Sequence, residues 1–495
     1  METIPRLSER TPLDWRSLLI GQLAVQQEWC QVFEAYYDGN HPLQFATSKF
    51  REAFGNLFGA FADNWCQIVV DSSVERLEIV GFSIGGSASD QAWALWQANA
   101  LTVESVIAHT EAGKCGRCYL LVDPNGDEGP RITVEHPEQM VVANDPGDRR
   151  KRLAALKRWE GDDRHHYVTL YLPDQVFKWE SAEPVHQAGG PIEWVERSDD
   201  LHESSNPLGV VPAIPLENNP GLLGRPHSDL DSAIPLQNAV NKICTDMIVS
   251  SEYGAFPQRV LTGVDVPKDP ETGQPIKDDE MKAAMSRLWT FKSPDVSAIQ
   301  LPAADMNNFV VSIEMLIQHL AAQTRTPPHY LLAKMVNLSG DALATAEAGL
   351  VEKCEKKILF FSDPWEEAMA LALTAAGTDT LPADVESIWK NPERISQAQL
   401  TDASVKKKVS LDVPVEQIWL ELGYTPEKIK EMAKVLEGKE EAALAAAALA
   451  QEAAVRESVA VGTPPGEPAP PGTQPPAPQG PNPGPPAPPT TGGRP

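Results

Sequence analysis

No run of about eighteen consecutive apolar residues occurs in this 495-residue chain, so a hydrophobic bilayer-crossing helix is not expected. The opening Met1-Glu2-Thr3-Ile4-Pro5-Arg6 lacks a charged stretch followed by an apolar one, so no secretory signal is expected and synthesis in the cytosol is the default. Cysteine is scarce: Cys30, Cys66, Cys115, Cys118, Cys244 and Cys354 lie too far apart for a disulfide scaffold and read as reduced thiols. Positive charge is also short. With 42 Lys and Arg against 69 Asp and Glu, the formal charge is −27, which argues against a protein that grips nucleic acid, because phosphate binding rests on cations that displace counterions. No Gly-x-x-x-x-Gly-Lys-Ser/Thr loop exists, so the usual phosphate cradle of an ATP-driven motor is missing and any energy source lies in a partner. No internal repeat is visible.

The chain does have enough length for two or three ordinary cores and a composition, 42% hydrophobic and 22% charged, that suits folded domains. Leu18, Leu19, Leu23, Val25, Trp29, Val32, Phe33 and Tyr36 predict an amphipathic helix over 13–37 ending at Asp38-Gly39-Asn40. Phe50, Phe54, Leu57, Phe58 and Phe61 predict a second. Residues 67–71 and 76–82 read as strands, 89–110 as one helix, and 118–122, 131–135, 141–143 and 167–172 as strands of a sheet domain. The spacing predicts long helices over 228–255 and 305–324, around an insertion with β-like runs at 259–262 and 298–301, an acidic loop and a short helix over 281–289. Ser228 and Asp231 stand at capping-box spacing, and Pro235 either sets the first turn or kinks the helix. A break at Thr326-Pro327-Pro328 precedes a third helix from Ser339 through Phe361, with a bend at Asp363-Pro364 before 365–376. A strand over 384–390, helices over 396–436 and a weakly helical Ala/Glu-rich run to Val461 follow. Fifteen of the 44 prolines fall in 463–495, a composition that predicts an extended, disordered tail.

Few motifs carry chemistry. Cys115-Gly116-Arg117-Cys118 has redox or zinc spacing, but no second CxxC or CxxH lies near it in sequence, so it reads as a turn into a strand. Gly81-Phe82-Ser83-Ile84-Gly85 matches the G-x-S-x-G nucleophile elbow and keeps a serine hydrolase open as an alternative, although turn-rich strands follow it rather than repeating βα units. His165 and His166 are adjacent and, in a strand, point to opposite faces, which suits no shared metal ion. The basic group Arg149-Arg150-Lys151-Arg152, with Lys157 and Arg158, reads as a solvated loop between strands. His319 falls on an apolar helix stripe and reads as packing.

Several short motifs then recur in a fixed order: Tyr36-Tyr37-Asp38-Gly39-Asn40-His41-Pro42, Val69-Val70-Asp71, Glu75-Arg76-Leu77, Trp96-Gln97-Ala98-Asn99, Ser251 through Arg259, Thr326-Pro327-Pro328, Asn337 through Leu343, and Leu422-Gly423-Tyr424-Thr425-Pro426-Glu427. In this order, over most of 11–437, the chain resembles the siphovirus-type portal proteins of tailed double-stranded-DNA bacteriophages. The resemblance implies an α+β portal fold: a wing over 1–227, stem helices over 228–256 and 305–326, and a clip between them over 257–304. It further implies a tunnel loop over 327–340, a long helix and return strand of the wing over 341–395, and a crown over 396–437. The Ala/Glu-rich segment and tail over 438–495 lie outside it. A ring of about twelve copies is implied, closed by heterologous contacts, at one capsid vertex in the virion after assembly in the host cytoplasm. An acidic lumen suits such a ring, since it offers a passing duplex no deep electrostatic minimum. The implied partners are double-stranded DNA, the terminase large subunit, the major capsid and scaffolding proteins and a head-tail adaptor, with no membrane and no cofactor. Implied stem packing falls on Ile243, Met247, Phe309 and Ile313, partner docking in the clip on Lys282, Arg287 and Trp289, and DNA contact in the tunnel loop on His329, Tyr330, Lys334 and Asn337. Ordinary loop solvation is the other reading of those four. A different head-associated virion protein is a further alternative.

Overall fold

Helix α1 (Pro12–Tyr37) starts on a reciprocal cap, with Asp14 N–H donating to Thr11 Oγ1 at 3.3 Å and Thr11 N–H donating to Asp14 Oδ2 at 2.8 Å. Its buried stripe, Trp15, Leu19, Leu23, Gln26, Cys30, Phe33 and Tyr36, keeps helical spacing to the end. In this computed structural model residues 9–41, 63–124, 129–185, 192–198, 201–255, 259–262, 297–300, 305–332, 340–378, 380–393, 397–422, 424 and 426–460 are described. The second expected helix, over Phe50 to Phe61, lies outside the described residues, as does the proline-rich end.

Residues 67–71 are helical rather than extended. Helix α2 (Trp65–Val74) is capped by Asn64, whose side chain accepts from Gln67 N–H, and its β-branched residues go to the core because tertiary burial overrides their strand preference. Strand β1 (Ile79–Ile84) turns back through Gly85 and Gly86, both at positive φ, into the short β2 (Ser87–Ala88). The single helix expected over 89–110 is two: α3 (Asp90–Ala98) and α4 (Leu101–Cys115) meet at Ala100, which sits in the left-handed region at φ 53°. Gly116, at φ 84°, stops α4 and releases β3 (Arg117–Asp123), followed by β4 (Arg131–Glu135) and β5 (Met140–Asp145).

The basic group expected to form a loop lies instead in the longest strand, β6 (Asp148–Glu160). Arg149, Arg150 and Lys151 are exposed at a register irregularity next to the β5–β6 turn, whereas Arg152 Nη1 donates to Glu367 Oε2 at 3.0 Å. Strands β7 (His166–Tyr171), β8 (Gln175–Ser181), β9 (Trp194–Glu196), β10 (Glu203–Ser205) and β11 (Ala213–Glu217) complete the N-terminal region. All pairing here is antiparallel. One sheet runs β10-β8-β7-β6-β5 with β9 also on β8, and a second runs β11-β3-β4.

Helix α5 (Ala233–Ala255) follows, with Pro235 in its first turn, where the missing N–H costs no bond. Strands β12 (Arg259–Thr262) and β13 (Ser297–Gln300) pair antiparallel beyond it, and α6 (Asn307–Thr324) returns. A short α7 (Pro328–Leu332) occupies part of the expected loop. Helix α8 (Gly340–Ala375) continues through Pro364, where a bend was expected, and β14 (Val385–Trp389) pairs with β1 to give the order β14-β1-β2. Helices α9 (Gln397–Leu411), α10 (Val415–Glu421) and α11 (Pro426–Ala460) end the described chain. The chain divides into compact units Met1–Glu431 and Met432–Pro495; in the second, α11 is exposed from Lys434 on wherever its side chains are described.

Three large apolar clusters, with a smaller fourth around Tyr119 and Met140, organise the first unit. The largest sets Phe361, Trp365, Met369 and Leu373 of α8 against Phe82, Trp93, Trp96 and Leu120, with Trp96 and Trp365 edge to face at 5.1 Å. A second joins Trp15, Leu19 and Leu23 of α1 to Leu156, Val168 and Trp179 of the large sheet. The third joins α5 to α6 and is described next.

Candidate functional site: the paired helices and their anchor

The third cluster contains Val240 and Cys244 from the first half of α5 and Ile317, Leu320 and Ala321 from the last half of α6. The two helices therefore run antiparallel, away from the body and back, with the β12–β13 hairpin between their far ends. Of the residues expected to pack this pair, Ile313 is part-buried against the cluster, and Ile243, Met247 and Phe309 are half-buried. His319, expected in the packed stripe, is exposed: on α6 the buried positions are Ile317, Leu320, Ala321 and Thr324, and His319 falls on the opposite face. Val310, Val311 and Met315 are also exposed on α6.

An ionic anchor fixes the near end of α5. Asp229 is buried, with Lys357 Nζ at 2.6 Å and Lys353 Nζ at 3.3 Å from Oδ2, and Asn218 Nδ2 donates to Oδ1 at 3.1 Å. Its own N–H donates to the Gly113 carbonyl at 3.0 Å. Burial alone raises the carboxyl's pKa, but the two lysines and the Asn218 hydrogen bond outweigh it and bring the value down to about 2. Ser228 and Asp231 do meet, Ser228 N–H donating to Asp231 Oδ2 at 3.1 Å, so the spacing read from the sequence closes the turn just before α5.

A buried arginine organises the far side of α6. Arg76 donates through Nη2 to Tyr330 Oη and to Glu347 Oε2, both at 3.0 Å, and through Nη1 to the Pro392 carbonyl at 3.2 Å. His329 Nε2 stands 3.5 Å from Glu347 Oε1 and its ring stacks on Tyr330. The two expected tunnel residues that are described thus sit on α7, half-buried and tied to α8. Lys334 and Asn337 lie outside the described residues, as do Lys282, Arg287 and Trp289.

The structure removes the nucleophile elbow. Ser83 is the penultimate residue of β1 in an antiparallel sheet, ahead of a turn back into β2, and its Oγ donates to Glu386 Oε2 at 3.3 Å on the neighbouring β14. An elbow needs a strand-to-helix turn above a parallel sheet, with a histidine against the serine.

A second constellation escaped the sequence reading. Glu34 from α1, Glu111 and Cys115 from α4, and His136 from the turn after β4 bring one potential ligand atom each to within 4.8 Å of one another. Cys118 is not part of it, because its Sγ donates to the Ala108 carbonyl at 3.2 Å. The signal was the i, i+4 pair Glu111/Cys115 on one helix face; its companions, 81 residues upstream and 21 downstream of Cys115, had no local signature.

A family model and two curated relatives agree in a single direction. A family model described as "Phage portal protein, SPP1 Gp6-like" matches residues 26–443. The portal protein of Mycobacterium phage D29 is 31% identical over 393 residues, covering 74% of this chain and 77% of that one. The portal protein of Mycobacterium phage L5 is 30% identical over 393 residues, covering 74% and 76%. Among solved structures, a chain of the neck of a native gene transfer agent particle, computed with C12 symmetry, aligns at 11% identity and TM-score 0.43 over 73% of this chain and 88% of that one. By the family match over most of its length and its two phage relatives, the chain belongs to the phage portal protein family.

Proposed function

We propose that this portal protein works as a passive conduit, in which the α5–α6 pair of each copy lines a pore and the 257–304 insertion docks other components. As a phage portal protein it forms the ring at one capsid vertex through which double-stranded DNA is packaged, and its role is structural rather than catalytic. The finer assignments are ours: wing 1–227 with 341–395, stem 228–256 and 305–326, clip 257–304, tunnel loop 327–340 and crown 396–437, with about twelve copies in the ring. In the same reading the clip receives the terminase large subunit through Lys282, Arg287 and Trp289 and later a head-tail adaptor, while the wing meets the major capsid and scaffolding proteins. DNA leaves by the same path on ejection, past His329, Tyr330, Lys334 and Asn337.

One observation carries the conduit reading. Two antiparallel helices leave a body held by its own cores, and α6 exposes Val310, Val311 and Met315, apolar surface suited to a neighbouring copy. The net charge of −27 fits a channel that guides a duplex without holding it. Electron microscopy of the purified full chain tests the proposal. Rings with a central hole wide enough for B-form DNA are expected; a monomer under both dilute and assembly conditions overturns it.

A further inference from the structure

We propose that Glu34, Glu111, Cys115 and His136 form a binding site for one divalent cation of the zinc class, which pins the last turns of α1 to α4 and to the turn after β4. The ligand set is the first argument. One thiol, one imidazole and two carboxylates, each able to give one atom, match the number and softness of a four-coordinate zinc-type site better than the all-oxygen shells of magnesium or calcium. Their placement is the second. Glu111 and Cys115 are one helical turn apart on α4, Glu34 faces them from α1, and His136 Nε2 lies 2.7 Å from Glu34 Oε1 and 3.0 Å from Glu111 Oε2.

Unmet polar atoms supply the third argument. Oε1 of Glu138, beside Glu34, is buried without a hydrogen bond, although buried carboxylate oxygens are almost always satisfied, and buried Glu111 Oε2 faces only His136 Nε2, 3.0 Å away. Lys114 Nζ occupies the other Glu111 oxygen at 2.8 Å and comes within 3.4 Å of Glu34 Oε1, so it orients both carboxylates and leaves Glu111 Oε2 facing His136 Nε2, where an ion between the two would replace their direct contact. Among the described residues Lys114 is the one lysine or arginine paired with these acids, against two carboxylates in the ligand set and a third in Glu138 beside Glu34. A divalent cation corrects that imbalance.

Binding moves protons in a defined way. The Glu138 N–H donates to His136 Nδ1 at 3.1 Å, which leaves the imidazole proton on Nε2. Ligation through Nε2 shifts that proton to Nδ1 and turns the Glu138 amide aside within the 137–139 turn. Cys115 ligates as thiolate, so its proton is released to solvent when the ion binds.

Cobalt(II) reports on these ligands directly. The full-length protein, stripped with chelator and then titrated with cobalt(II), is expected to take up one ion per chain and to show a near-ultraviolet sulfur-to-cobalt charge-transfer band. Cys115→Ser should abolish the band, His136→Asn should weaken uptake by about tenfold or more, and Cys118→Ser, outside the cluster, should leave both unchanged. Zinc should displace cobalt, and chelation of the wild-type protein should lower its melting temperature, a readout that needs no variant to fold. Absence of the band from folded wild-type protein in excess cobalt, or its persistence in Cys115→Ser, overturns the site.

Discussion

Asp229 shows what one buried residue can hold. It answers two lysines of α8 just ahead of α5, so removing its charge strands Lys353 and Lys357 in the interior. Asp229→Asn is expected to destabilise the fold by about 3–5 kcal/mol in denaturant melts, the usual cost of breaking a buried pair from one side. The pH dependence has a definite sign. The folded carboxyl titrates near 2 against an ordinary 3.8, so the stabilisation is present above the ordinary value and is lost as pH falls through about 2. Wild type should therefore lose its advantage over Asp229→Asn across that acid window, and an advantage that persists below it would refute the pairing. Gly116 makes the complementary case for a residue without a side chain. It sits at φ 84°, and a Cβ there would meet the Pro226 carbonyl oxygen at 2.8 Å, so Gly116→Ala should cost about 1–3 kcal/mol in a thermal melt. From sequence this glycine was legible only as a turn inside a CxxC. The pressure from Pro226, 110 residues on, is a tertiary fact.

Elements were legible where periodicity and caps agreed, as in α1 with Thr11 and Asp14 or in β4 between clear turns. They were misread where composition opposed burial. Ile68-Val69-Val70 looks extended, yet Val69 and Val70 are buried on one helical stretch begun by Asn64. The charged Arg149 to Arg152 looks like loop, yet these residues lie in β6 where it pairs with β5, and Arg152 is neutralised by Glu367 of α8. Neither partner choice has a local trace. The break at Ala100 was hidden for the same reason, because no glycine or proline marks it. The α5–α6 pair, by contrast, was readable from apolar spacing on both helices, and its energetics follow from burial. Leu320 is 1% exposed within the cluster shared by both helices, so Leu320→Ala should cost about 2–5 kcal/mol through lost transfer energy and a residual cavity. Hydrogen exchange is expected to quicken across α5 as well as α6. Quickening confined to α6 would mean that the helices do not support each other.

At the scale of the whole molecule the decisive question is whether assembly and docking reside in separate parts of the chain. The β12–β13 hairpin makes the separation testable, because Thr262 and Ser297 are direct antiparallel partners. Their backbones end side by side, so residues 263–296 can be replaced by the two-residue turn Asn-Gly, which suits a tight hairpin, without pulling on the helices at either side. That exchange deletes Lys282, Arg287 and Trp289, the residues proposed to meet the packaging ATPase. It leaves α5, α6, the Asp229 anchor and all three large apolar clusters in place. The shortened chain is expected to form rings of the same symmetry as the full chain in electron micrographs and to lose binding to the terminase large subunit by at least about tenfold, since an interface stripped of its aromatic and arginine anchors rarely survives. Rings that still bind the ATPase at full strength would move the docking surface out of the insertion. Folded chains that no longer form rings would place the contacts between copies in the clip, and the stem would lose its proposed part in closing the channel.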